Sequence, residues 1–422
     1  VAVAAVIAVV GLAGCSNAVT KTSAGGGAPG VTSSQIDVGS IADVSGPLSS
    51  DFAPVVNGVE GYFSMVNATG GVAGRTLKLA YQTDDNGSAT TDLVVAQKLV
   101  ETDHVFAVVG VGTPFFGGAG YLASQGTPTF GYMVSTDWEN KPTLFGAYGS
   151  VLDFSTASTG EAYVAQEFGA TSVAVVAYGV PQSADACQAA VTGMQGLGVN
   201  VTFTDLSFPF GSDPTADVLQ MKQHHVDMLL TCLDVTGNVA FARAITQNGL
   251  TMHQLWLNGY DRSTLEQYAP IMGGVTLGLQ HVPFEVAQDF PGVYPGMETY
   301  LRVMQRYQKA DTYDETALDG WISASLFVAG LRAVGRHLTQ KKLVAALNTL
   351  TAFTAGGLTT PVDWTQAHDT HIPPRTPFCG AGVAVVGDHF VPRVVPGTDH
   401  VFTCFDPGST AIVPPPAGTP GT

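Results

Sequence analysis

From Ile36 onward, short apolar runs alternate with stretches in which apolar residues recur at helical spacing. The runs "IDVGSIAD", "TLKLAYQTD", "VFAVVGVG", "TPTFGYM", "SVAVVAYG", "VTFTDLSF", "VDMLLTCL", "QLWLNGY" and "GLQHVPF" read as strands. Between them, "APVVNGVEGYFSMVNATGG" puts Val56, Val59, Phe63 and Val66 on one helical face and stops at glycine. "TTDLVVAQKLVET" repeats the pattern with Leu93, Ala96 and Val100, and "GNVAFARAITQNG" ends in an Asn-Gly stop. Strands that are apolar nearly throughout, alternating with helices, predict parallel sheets covered on both faces.

Two such α/β runs are visible, 36–147 and 150–280, alike in plan and each the size of one domain. The pattern then changes. Residues 293–349 are almost wholly helical, in "VYPGMETYLRVMQRYQKA", "ETALDGWISASLFVAGLRAVGRH" and "TQKKLVAALNTL". A Gly/Pro-rich stretch follows, then "GAGVAVVGDHFVPRVVPGTDHVFT", which reads as strand, turn and strand. The end, 406–422, has the composition of a disordered tail.

Charge narrows the partners. Asp and Glu number 34 against 17 Lys and Arg, a formal net charge of −17. Binding nucleic acid requires cations against the phosphates, so no nucleic-acid partner is expected. The opening "VAVAAVIAVVGLAGCSN" is an uncharged apolar run of 14 residues ending at Cys15. It is shorter than the roughly 20 residues of a membrane span and has the length of a secretory h-region. Leu12-Ala13-Gly14-Cys15 resembles a lipobox, in which the Cys15 thiol is acylated. A basic stretch and an initiator Met are expected to precede Val1. The Gly/Ser/Thr-rich 16–35 then reads as a tether between a lipid anchor and a folded body.

Four cysteines remain, an even number that favours disulfides outside the cytoplasm. Cys379 and Cys404 flank the terminal hairpin and are the first choice for one bridge, leaving Cys187 with Cys232. Metal ligation competes, because His368, His371, His389 and His400 lie in the same region. Pro373-Pro374 and a loop-like setting supply no helix to aim the "HDTH" imidazoles together, so no metal is expected.

"VVGVGTPFFGGAG" poses the sharpest chemical question, since a strand runs into a glycine-rich turn. A dinucleotide fingerprint needs G-x-G-x-x-G, but Phe115 stands where the third glycine belongs. No acidic residue follows on "TPTFGYM" either. The stretch reads instead as a strand over 105–109, a turn at Gly110 to Gly112, Thr113 as N-cap and Pro114 as the first helical residue. No G-x-S-x-G, H-E-x-x-H, Walker or C-x-x-C pattern is present, so neither an enzyme nor a cofactor is expected.

The order of segments resembles the solute-binding proteins of the branched-chain amino acid (Liv-type) ABC transporters, the type I periplasmic binding proteins. "IDVGSIADVSGPLSSDF", "VNATGGVAGRTLKLAYQTDDN", "AQKLVETDHVFAVVG", "FGATSVAVVAYGVPQSADA", "GSDPTADVLQMKQHHVDMLL" and "ETALDGWISASLFVAGLRA" carry it, from about Ile36 to Arg393. The resemblance implies two doubly wound parallel-sheet lobes joined by a hinge of three crossings. Lobe one would hold 36–148 and 283–354, lobe two 149–282 and 355–405. It also implies a non-catalytic, lipid-anchored monomer outside the cytoplasm. Such a protein captures a small amino acid or related carboxylate and serves an ABC permease and ATPase. A ligand-sensing role without transport is the alternative.

Candidate ligand residues follow by segment. In lobe one they are Asp51, Phe52, Thr113, Pro114 and Phe115, with Ser135 as a donor and Trp138 as a stacking face. Phe115 and Phe116 read equally as cleft or core. In lobe two they are Tyr178, Gln182, Asp234, Thr236, Tyr260 and Asp261; Asp234 and Asp261 read equally as helix caps. Pro114 removes a backbone donor where the family has serine. That departure and the aromatic set point to a flat or apolar solute rather than a compact zwitterion.

Overall fold

The computed structural model of the protein describes residues 27–151, 159–307, 314–371, 377–406 and 408–421. Two parallel sheets form its frame. In the first, β1 (Gln35–Ala42), β2 (Thr76–Asp84), β3 (Val108–Gly112), β4 (Thr129–Gly131) and β5 (Leu144–Gly146) lie in the order β2-β1-β3-β4-β5. In the second, β6 (Val173–Tyr178), β7 (Val201–Phe208), β8 (Met228–Cys232), β9 (His253–Trp256) and β10 (Val275–Leu279) run β7-β6-β8-β9-β10. Both orders read second, first, third, fourth, fifth along the chain. The likeness between the halves is therefore topological. Antiparallel β11 (Phe378–Val386) joins β10, β12 (His389–Pro392) and β13 (Thr403–Phe405) pair with β11, and β14 (Ile412–Val413) pairs with β13.

Helices connect and cover the strands. In the first lobe these are α1 (Ser49–Phe52), α2 (Val55–Ala68), α3 (Ala89–Glu101) and α4 (Ala119–Ser124). The second lobe has α5 (Thr159–Glu167), α6 (Pro181–Gly196), α7 (Thr215–Gln223), α8 (Val235–Gln247) and α9 (Arg262–Tyr268). After β10 come α10 (Val286–Asp289), α11 (Pro295–Tyr307), α12 (Glu315–Val334) and α13 (Gln340–Leu347). Side chains satisfy the free N–H groups at several starts: Ser88 caps α3, Asp234 α8, Asp261 α9, Asp314 α12 and Thr339 α13.

The return of the chain to the first lobe is driven by α12, which is buried without a break from Thr316 to Val328. By length and composition it could cross a membrane, but its faces are taken by protein. It packs on α2 so closely that a Cβ added to Gly58 would lie 1.7 Å from the Ala317 carbonyl oxygen. The chain thus passes between the lobes after β5, after β10 and before β11. The second crossing pairs with the segment that follows α13, where Val282 N–H donates to the Leu358 carbonyl at 2.9 Å. Tyr148 on the first crossing stacks on His281 of the second, with ring centroids 6.4 Å apart.

Several details differ from the sequence reading. β3 does not end at Gly110; it runs on to Gly112, because Gly110 takes φ +89° and carries the strand through an irregular pairing. Thr113 and Pro114 accordingly begin no helix, and α4 starts only at Ala119 with Gly118 before it. β10 precedes His281 rather than containing it; Pro283, with no N–H to donate, lies in the crossing beyond. The tail expected to be disordered adds β14 to the sheet. Of the expected tether, 27–34 dock on the first lobe, where Asp37 N–H donates to the Gly30 carbonyl at 2.8 Å. Cys15 and the remainder of the tether lie outside the described residues. Both disulfides form as read, Cys187–Cys232 from α6 to the end of β8 and Cys379–Cys404 between β11 and β13.

Candidate functional site

In open α/β sheets the ligand crevice lies beyond the carboxyl ends of the strands, where strand order reverses. That point falls between β1 and β3 in the first lobe and between β6 and β8 in the second. The residues beyond those strand ends include Asp51 and Phe52, Thr113 to Phe115, Gln182 and Asp234, with Tyr178 the last residue of β6. These two sets of segments meet. Gln182 Nε2 donates to the Pro114 carbonyl oxygen at 3.2 Å. The Asp51 carboxyl accepts the N–H of Val235, the first residue of α8.

Three carboxyls converge there. Burial, reinforced by the charges of Asp234 and Asp261, pushes Asp51 up to about 7, while Ser50 and Val235 donors oppose the rise. Asp234 is the N-cap of α8, accepting Gly237 N–H at 2.8 Å and the Tyr178 hydroxyl. Tyr178 stacks on Phe210 with centroids 3.7 Å apart, and Phe52 lies 6.1 Å from Tyr132. Thr113 is buried, its hydroxyl accepting Phe115 N–H at 3.3 Å and hydrogen-bonding Asp85. Phe115 is half-buried at this wall, whereas Phe116 is core.

Other candidates do not reach the cleft in the way the sequence indicated. Trp138 is 1% exposed and packs 4.9 Å from Phe116 in a core with Ala96 and Leu122, so it offers no stacking face. Ser135 is buried and its hydroxyl is engaged by Asp137 at 2.9 Å. Tyr260 is a core ring; its hydroxyl donates to Glu285 and accepts Phe284 N–H at 2.7 Å. Asp261 caps α9 through Thr264 N–H at 2.7 Å, although its charge still bears on Asp51. Thr236 sits exposed on α8.

Sequence reasoning passed over the polar cluster where the crossings meet. Asp319 on α12 is fully buried and accepts the Tyr148 hydroxyl; burial and Glu315 push its carboxyl far up. His281 Nε2 lies 3.2 Å from Glu315. Burial pushes this imidazole down, but the Glu315 hydrogen bond and charge outweigh it and the net shift is upward. Burial also raises Tyr132, with Glu315, Asp319 and Asp51 adding to it, so its ring bridges cluster and cleft. An acidic residue inside the apolar run of α12, and a tyrosine immediately after β4, were the available signals.

Among the described residues, the only grouping spaced for a metal is Asp43, Asp84 and Asp85, with oxygens within 4.8 Å. Backbone N–H groups of Gly46, Val44 and Gly87 already serve these three carboxyls. His368 is buried against Phe145 and Trp364, and burial pushes it down to about 4, while exposed His371 pairs with Asp369.

Two sheets of one topology, linked by three passages of the chain and meeting at their strand ends, give a two-lobed α/β fold. A family model described as periplasmic binding protein matches residues 35–377, and the chain belongs to that family. It has the type I α/β fold of this family of non-enzymatic periplasmic binding proteins. Among solved structures, it is similar to a branched-chain amino acid ABC transporter protein from Thermus thermophilus with bound valine. Identity is 16%, coverage 86% of this chain and 96% of that one, and the TM-score 0.70. It is also similar to a solute-binding protein from R. palustris in complex with benzoate (15%; 85% and 95% covered; TM-score 0.68). A fatty acid ABC transporter substrate-binding protein from Thermomonospora curvata is comparable (18%; 86% and 92% covered; TM-score 0.68). No curated protein sequence matches the chain.

Proposed function

We propose that this protein is the lipid-anchored receptor of an ABC importer, capturing a small amino acid or related carboxylate, aromatic or otherwise flat, between its lobes. The observation that carries the reading is the meeting of the two strand-order reversals across the cleft, through Gln182 with Pro114 and Asp51 with Val235. Asp51, Phe52, Thr113, Pro114, Phe115, Tyr178, Gln182, Asp234 and Asp261 are assigned to the wall. Phe52, Phe115, Tyr178, Tyr132 and Phe210 supply its rings and favour a flat solute. Solved relatives with valine and with benzoate support both solute chemistries. Residues 362–370, read from sequence as lobe two, are assigned instead to lobe one, where Trp364 packs on Phe145 and Asn140 N–H donates to the His368 carbonyl at 2.7 Å, and Cys15 is the acylation site. It serves a permease and ATPase as a monomer.

Isothermal titration with leucine, valine and benzoate, followed by X-ray scattering with whichever binds, tests the reading. Saturable binding with a fall in radius of gyration is expected. No binding to any of the three, or binding without compaction, overturns it. Incorporation of labelled palmitate, abolished by Cys15→Ser, tests the anchor.

A further inference from the structure

The wall at 113–118 has no regular structure between β3 and α4, yet it carries Thr113, Pro114 and Phe115 of the cleft and the carbonyl that receives Gln182. What fixes it lies beneath, on the start of α3. Gly118 N–H donates to Asp92 Oδ1 at 2.6 Å, and Thr113 hydrogen-bonds the Asp85 carboxyl. A Cβ added to Gly118 would lie 2.6 Å from Ala96 Cβ and 2.8 Å from Asp92 Oδ1, so the wall is seated directly on the helix.

Asp85 and Asp92 are both 0% exposed. Asp85 Oδ1 accepts Gly87 N–H at 3.0 Å, and Asp92 Oδ1 accepts Gly118 N–H. The second oxygen of each, Asp85 Oδ2 and Asp92 Oδ2, is enclosed with no N–H or O–H donor of its own. The two carboxyls are in hydrogen-bond contact with each other. Two enclosed oxygens without donors, on touching carboxyls, are satisfied together by a single proton between them.

We propose that Asp85 and Asp92 share one proton and act as a positioning pair, holding the 113–118 wall in the shape the solute meets. The proposal rests on the reading of that wall as part of the solute cleft. Neighbouring charges reinforce it: Asp43, just beyond β1, bears on Asp85, and Asp137, beyond β4, bears on Asp92. Lys98, further along α3, is taken by Asp103 at 2.6 Å. Thr113, Gly87 and Gly118 are the neutral donors. Burial first, then the Asp85 charge, raises Asp92 to about 8 against the opposing Gly118 N–H, so the proton is retained through neutrality. Above that pH two carboxylates face each other beside further acids, and the seat of Gly118 loosens.

Hydrogen exchange of peptides covering 113–120 in the full chain, without solute, tests the pair, with protection taken relative to the intrinsic rate at each pH. Wild type is expected to keep constant protection to about pH 7.5 and then lose about tenfold per pH unit above about 8, as one proton is released. Asp92→Asn keeps an acceptor for Gly118 and offers Nδ2–H to Asp85 Oδ2, so its protection is expected to stay flat to pH 9.5. Asp92→Ala is expected to lose protection at every pH. A flat wild-type profile, or Asp92→Asn no better protected than Asp92→Ala, overturns the proposal. If the alanine variant fails to fold, the wild-type and asparagine profiles decide alone. Exchange is read without solute, so failure to bind leucine or benzoate would sink the cleft reading without deciding the pair.

Discussion

The side-chain amide of Gln182, in the first turn of α6, donates across the cleft to the Pro114 carbonyl oxygen at 3.2 Å. One residue belongs to each lobe's strand-end wall, so the bond forms only when the lobes approach. Pro114, which cannot donate, contributes by accepting.

Gln182→Ala removes that bond. A hydrogen bond of this kind contributes about 1 kcal/mol net, enough to shift a closed-to-open ratio about fivefold. A larger radius of gyration in solute-free protein by X-ray scattering is expected, and an unchanged radius would count against a bridging role.

Asp51 gives closure a pH dependence. Its carboxyl is raised to about 7 where the lobes meet, so the closed form binds the proton more tightly than the open form. Closure is therefore favoured below pH 7 and weakened as pH rises through it. The radius of gyration, or the affinity for a confirmed solute, is expected to follow this trend between pH 5.5 and 8.5. Asp51→Asn should flatten it.

Trp138 is a test of core against cleft. Its ring packs on Phe116 in the first lobe, so Trp138→Ala is expected to cost about 3–5 kcal/mol in urea unfolding. Solute affinity at a temperature where the variant stays folded should change little. A selective loss of affinity with stability intact would return the ring to the cleft.

The bridge Cys187–Cys232 closes 45 residues of chain, linking α6 to the end of β8 two residues before Asp234. Replacing both cysteines by serine is expected to lower stability by about 4 kcal/mol on loop entropy alone. Non-reducing peptide mapping and unfolding of the double variant check the pairing and the size of the effect.

The Asp319 carboxyl is fully buried and bound by the Tyr148 hydroxyl, and burial with the nearby Glu315 charge pushes it upward. Asp319→Asn keeps an acceptor for Tyr148 and is expected to be nearly neutral in stability. Asp319→Ala leaves that hydroxyl without its partner and should cost about 1–3 kcal/mol in the same unfolding experiment.

Periodicity and segment order in the chain by themselves determined the parallel sheets, the repeated α/β plan and the helical character of 293–349. These follow from local spacing, because a strand buried on both faces must be apolar throughout and a covering helix must repeat at about 3.6 residues. Matching segments to the family they resemble nominated Asp51, Thr113, Tyr178, Gln182 and Asp234 as candidates. Tertiary structure alone decided which nearby groups lie where the two lobes meet. Ser135 and Trp138 lie just beyond Tyr132 along the same strand exit, yet Tyr132 lies beside Phe52 while Trp138 lies against Phe116. No local period records which way a loop turns its ring. Likewise Asp319 meets Tyr148 across 171 positions of chain, and Asp92 meets Gly118 across 26. Partnerships of that kind arise only when helices from distant parts of the sequence are pressed onto one sheet, where burial makes each unpaired oxygen costly.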